Sequence, residues 1–156
     1  MDAKEKELRE RVAAIAREWL GTPYHHAARV KGQQGGVDCA TLLCEVYREA
    51  GMVGSVDIDF YPPDWHMHRD IERYVTKLSE YACEVPLDNP QPGDVLVVKF
   101  GRAFSHGAIV VAWPLCVHAV LRQDVQYVDA NRDVVFQHNS GELRERKLFS
   151  LWGERK

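Results

Sequence analysis

The stretch Gly36-Val37-Asp38-Cys39-Ala40-Thr41-Leu42-Leu43 constrains this chain most, because a glycine-rich loop ends there and an apolar helix begins with a cysteine in its first turn. The first amides of a helix lack intrahelical partners and the macrodipole leaves partial positive charge at that end, so a thiol there is biased toward thiolate. Asp38 reads as the N-cap. Leu42, Leu43, Val46, Tyr47 and Ala50 recur at helical spacing until Gly51 stops the run. The expectation is a buried helix that presents Cys39 to a cleft as an attacking group.

A chain of 156 residues, 46% hydrophobic and 28% charged, suffices for one packed core, so residues 1–156 are read as a single domain. The net charge of -3 supplies no basic field, which argues against nucleic acid as the main partner. The first residues, Met1-Asp2-Ala3-Lys4-Glu5-Lys6-Glu7, lack a signal-peptide core, and no apolar run is long enough to span a bilayer. A chain cytoplasmic as synthesised, with no membrane partner, is therefore expected. Cys39, Cys44, Cys83 and Cys116 show no CxxC spacing and are read as thiols, the last three as core.

Residues 4 to 20 carry the stripe Leu8, Val12, Ile15, Trp19 and Leu20, with Lys, Glu and Arg elsewhere, and Gly21 and Pro23 stop that helix. Loop composition follows to Gly36, and residues 51 to 65 are irregular. Ile71, Tyr74, Val75 and Leu78 then give a third helical stripe, expected to be capped near Asp64, and the helical half ends near Cys83. After Pro86, Pro90 and Pro92 the period changes. Strands are predicted over 95–100, 108–112, 116–121, 125–128, 134–137 and 147–151. Helices first and a strand meander second make an α+β signature, with the helices packed on an antiparallel sheet of about five to six strands. The last residues, 153–156, are expected to fray.

A thiol nucleophile needs a base, and the base needs a group that holds its tautomer. His106 and His118 lie in the strand half, in Ser105-His106-Gly107-Ala108-Ile109-Val110 and Cys116-Val117-His118-Ala119. A hairpin centred on Ala112 with an odd-length loop over Trp113-Pro114 sets them directly opposite one another on one face, as base and orienter. A two-residue loop moves that register and separates them. His25, His26, His66 and His68 read as solvated or substrate-rim residues. No cofactor is expected; a zinc site from Cys39, His106 and His118 is the chemical alternative.

Trp19-Leu20-Gly21-Thr22-Pro23-Tyr24, Gly36-Val37-Asp38-Cys39, Pro92-Gly93-Asp94-Val95-Leu96, Ser105-His106-Gly107-Ala108-Ile109-Val110 and His118-Ala119 resemble the NlpC/P60 cysteine peptidases in type, order and spacing over roughly residues 12 to 120. The Tyr24-His25-His26 loop and the Tyr-Pro-Pro-Asp-Trp-His stretch from Tyr61 look most like the phage and gene-transfer-agent cell-wall members. The resemblance implies a papain-like α+β fold with Cys39 as nucleophile, His106 as base and His118 as third polar residue. It implies substrate contacts around Tyr24, His25, His26, Asp38 and Ser105, with Tyr24 near the thiolate or oxyanion. It also implies hydrolysis of peptidoglycan stem peptides between D-glutamate and a diamino acid, with a phage tail or wall-localising protein as a further partner. An amidase on the same scaffold and a non-catalytic tail or assembly protein are the alternatives. Two departures from the family pattern stand out: Ala40-Thr41 replaces the common Ser-Gly after the cysteine, and His25-His26-Ala27-Ala28 replaces an aromatic with paired glycines. The stem-peptide carboxylate is expected to be met from the loop side, where Arg29 and Lys31 follow the histidines.

Overall fold

The computed structural model describes residues 1–58 and 72–153. Asp2 accepts a hydrogen bond from the Glu5 amide and starts α1 (Ala3–Glu18), which buries Val12, Ala13 and Ala16 and ends at Trp19 as C-cap. Arg9 lies outside the apolar stripe and is nevertheless drawn into the interior. It is buried, donating to Asp94 Oδ1 at 2.7 Å, to the Pro92 carbonyl and to Ser150 Oγ, and it lies 4.2 Å over the Trp152 ring. The shared network of donors and acceptors repays the desolvation of the guanidinium and fastens α1 to the sheet.

The connection after Gly21 is not wholly loop, because β1 (Arg29–Val30) and β2 (Gly36–Val37) pair as a short antiparallel ribbon. It delivers the chain to α2 (Cys39–Glu49), whose end is marked by Gly51 at φ +78°. The third stripe forms only a short helix, α3 (Arg73–Leu78), with Tyr74 buried. Asp64, Ile71, His66, His68 and the Tyr61 stretch lie outside the described residues, as does the end of the predicted frayed tail.

The strands are β3 (Cys83–Val85), β4 (Val95–Phe100), β5 (Ala103–Ala112), β6 (Leu115–His118), β7 (Gln126–Asp129) and β8 (Arg146–Ser150). They form one antiparallel sheet in the order β3-β8-β4-β5-β6-β7. The count of six matches the expectation although its membership differs. Cys83–Val85, read as the end of the helical half, is an edge strand on β8. Residues 134–137, read as a strand, form instead a 3-10 turn at Val134–Phe136, because Asp133 accepts from the Val135 amide and closes the turn locally. Local side-chain capping wins over the β-propensity of two valines.

The sheet is covered on both faces, which explains why β4 is apolar at each of its first four residues instead of alternating. Val95, Val97, Ile109, Val111 and Val117 pack toward Val12, Leu42 and Val46 of the helices. Leu96, Val98, Ala108, Val110 and Cys116 pack on the other side with Val128 and Phe136. No described helix is long and apolar enough to cross a membrane.

Candidate active site

Asp38 builds the position of Cys39. Its Oδ1 accepts from the Ala40 and Thr41 amides at 2.9 and 2.8 Å, and Thr41 Oγ1 accepts from the Asp38 amide, a reciprocal cap. Its Oδ2 accepts from the Ala27 amide at 2.8 Å and lies 3.9 Å from His26 Nδ1. One carboxylate thus ties the helix start to the upstream loop, where Ala27 adopts φ +59°. Asp38 is fully buried, so its place among the substrate-contacting residues is corrected: it orders the loop beneath the site.

Cys39 follows as the first residue of α2 and is 5% exposed. The amides of Cys39, Ala40 and Gly107 approach the sulfur and favour thiolate, as the helix-start argument expects. Burial, and then the Asp38 charge, act more strongly and push the thiol well above its ordinary range. The expectation of a thiolate-biased cysteine is therefore overturned: with no ligand bound, Cys39 is a protonated thiol. Tyr24, half-buried, is likewise held protonated by burial, by Cys39 and by Asp38, so its hydroxyl remains a donor beside the sulfur. His25 is exposed, with its ring against Gly36, where any Cβ would overlap it.

The histidines meet for a reason other than the one expected. The β5–β6 loop holds two residues, Trp113 and Pro114, and the strands pair as Ala112↔Leu115 and then, past a bulge, as Val110↔Cys116 and Ile109↔Val117. Continuing that register sets His118 level with Ala108, two residues from His106. They are diagonal neighbours on one face and not directly opposed. The bulge restores the parity that a two-residue loop removes. His106 Nε2 and His118 Nδ1 are 2.9 Å apart. Phe136 lies under both rings, at 5.9 and 5.6 Å between centroids, and Phe100 stands edge-on to His106 at 6.0 Å. His118 is 1% exposed, and burial lowers its pKa to about 4.

Strand alternation sends Gly107 toward Tyr74 and α2, and its neighbour His106 toward Phe136 and His118. Tyr74 donates to the Cys39 carbonyl at 2.9 Å, and a Cβ on Gly107 would overlap its hydroxyl. Gly107 is thus the point where α2 closes on the strand that carries His106. Among the described residues no hydrogen bond joins the sulfur to either imidazole, and no three His, Cys, Asp or Glu side chains gather to hold a metal ion. Ser105 is the extra residue of a second bulge, between the pairs Val98↔His106 and Lys99↔Phe104, and is buried. Arg29 is committed to the Val56 carbonyl and to Glu45, and Lys31 to Glu49 at 2.7 Å and to Glu18. Neither is an unpaired cation waiting on the loop side.

Phe100, Phe136 and Tyr74 were not among the expected site residues. Tyr74 was legible as a buried helix position, whereas the aromatic floor depends on the turn at Val134–Phe136, which local pattern misassigns.

No protein-family model and no curated protein matches this chain in sequence. Solved structures do match it in shape. The NlpC/p60 domain of the peptidoglycan hydrolase SagA superposes with a TM-score of 0.59 at 16% identity over 90% of this chain and 97% of that one. An NlpC/P60 family protein from Bacillus cereus gives 0.61 at 17% identity over 89% of this chain, which spans only 39% of that protein. RipD from Mycobacterium tuberculosis, a non-catalytic NlpC/p60 domain protein described as adapted to peptidoglycan binding, gives 0.58 at 15% over 92% and 96%. At these identities the likeness establishes architecture, and the chain is folded as an NlpC/P60 domain.

Proposed function

We propose that this chain is a cysteine hydrolase of peptidoglycan stem peptides that cuts the amide between D-glutamate and a diamino acid. The observation that carries the reading is the 2.9 Å contact between His106 Nε2 and His118 Nδ1, one residue along the strand from the Gly107 amide that approaches the Cys39 sulfur. A histidine kept neutral to about pH 4 accepts the Nε2–H of its neighbour and leaves Nδ1 of His106 as the basic nitrogen. Substrate entry excludes water and draws thiol and base together, since catalytic hydrogen bonds are often long before the substrate is bound. The thiol proton passes to His106, the sulfur bonds to the carbonyl carbon, and the oxyanion is met by the Cys39 amide and the Tyr24 hydroxyl. Collapse breaks the C–N bond as His106 gives its proton to the leaving amine, and water then hydrolyses the thioester.

Digestion of purified peptidoglycan followed by mass spectrometry tests this: muropeptides ending in an L-alanyl-D-glutamyl unit accumulate. Release at the sugar–peptide amide instead makes the chain an amidase. The protonated, buried thiol favours a second reading, a domain that binds peptidoglycan without turnover. Retention on insoluble wall with no soluble product selects it. Delivery by a phage tail or prophage particle rests on the resemblance of the Tyr24-His25-His26 loop and the Tyr61 stretch, and its check is the presence of the chain in purified particles.

A further inference from the structure

We infer that Arg144 recognises a carboxylate on the leaving-group half of the substrate, a reading that rests on the hydrolase assignment above. The guanidinium carbon of Arg144 lies 4.3 Å over the ring of Phe100, the residue that stands edge-on to His106. The Arg144 amide donates at 2.9 Å to the carbonyl of Phe136, whose ring underlies both histidines. Arg144 is therefore fixed by stacking and by backbone to the two aromatic residues that seat the base.

Its nitrogen donors are unspent. Nε is buried with no hydrogen-bond partner, and among the described residues its guanidinium enters no ion pair or side-chain hydrogen bond. The neighbouring Arg146 spends its terminal nitrogens on the Ala130 carbonyl and on Asn131, while Arg29 and Lys31 are paired on the loop side. A guanidinium held flat on an aromatic ring offers a planar fork matched to a carboxylate, and a buried donor without a partner carries a desolvation penalty that such an anion removes.

The chemistry of the step assigns which carboxylate. His106 hands its proton to the departing amine, so the leaving residue lies on the imidazole side of the scissile bond, and Arg144 is joined to that imidazole through Phe100 and Phe136. The preferred substrate thus carries a free carboxylate on the diamino-acid residue that departs, and a leaving residue with a neutral amide in its place is a poor one.

A matched pair of stem peptides, one with that carboxylate and one with the carboxamide, decides the matter. The native chain is expected to favour the carboxylate in kcat/KM by roughly ten- to hundredfold, and Arg144→Gln to collapse the ratio toward one. Arg144→Lys, which keeps the charge and loses the fork, should fall between. Calorimetric titration of the Cys39→Ala chain with both peptides reads the same preference without turnover, so failure of the hydrolase assignment and failure of this inference are distinguishable. A native ratio near one in both rate and binding, or a ratio unchanged in Arg144→Gln, overturns it. Melting curves establish that the variants are folded, and the native comparison stands even where a variant is not.

Discussion

Cys39 and the histidine pair are neighbours through Gly107, yet they are held in opposite ways. The thiol sits at a helix start ordered by a buried carboxylate, and that carboxylate, together with burial, keeps it protonated. The imidazoles sit on two strands over an aromatic floor with one of them buried and neutral. The same physical factor, desolvation, thus raises the pKa of the Cys39 thiol and lowers that of His118, the imidazole that faces His106.

The largest expected effect breaks both halves equally. Cys39→Ala and His106→Ala should each lower turnover on peptidoglycan by roughly 10⁴-fold or more, and the double variant should be no worse than either, because members of one catalytic unit are non-additive. Assays of the three variants check this. Independent, multiplying losses would show that the two residues do not share a step.

Next in size is a pH effect confined to the histidine half. His118 titrates near 6.5 when unfolded and near 4 when folded, so the unfolded chain binds the extra proton first. Its contribution to stability is complete above about pH 6.5 and is lost as pH falls toward 4, amounting to roughly 3 kcal/mol at the extreme. Urea denaturation between pH 7 and pH 4 should show a steeper loss in the native chain than in His118→Asn. Parallel curves for the two would remove His118 as the source. The asparagine side chain still accepts from His106 Nε2, so this variant should keep part of the activity, whereas His118→Leu should keep less.

The smallest effect sharpens the thiol half. Asp38→Asn keeps an oxygen for the Ala40 and Thr41 amides, gives up the acceptor of the Ala27 amide and removes the charge that opposes ionisation of Cys39. Alkylation of Cys39 by iodoacetamide, followed by peptide mapping, should therefore become faster at neutral pH even though the helix is slightly less well capped. In the native chain the half-buried Cys44 and Cys83 should label ahead of Cys39, which is almost fully buried. A Cys39 that labels first in the native chain would show that its burial is not maintained in solution.

What could be read in advance follows from how local each feature is. The helix over Cys39–Glu49, its cap at Asp38 and its stop at Gly51 depend on residues within one or two turns, and they stand as expected. Strand β4 was placed to the residue because its apolar run is bounded by turn signals on both sides. The edge strand Cys83–Val85 and the turn at Val134–Phe136 were misread: three residues carry no periodicity, and an aspartate cap outweighs two β-branched neighbours.

The sequence by itself singled out the residues that the proposed chemistry uses, a cysteine at a helix start and two histidines on strands, because candidates for nucleophile and base are read from side-chain type and local element. The tertiary structure decided their charge and their meeting. Burial, which belongs to the packed whole, overrode the helix-start bias at Cys39 and neutralised His118. A bulge between Val110 and Ala112 returned the two histidines to one face when the two-residue loop alone would have parted them, since every residue inserted into a strand exchanges its two faces.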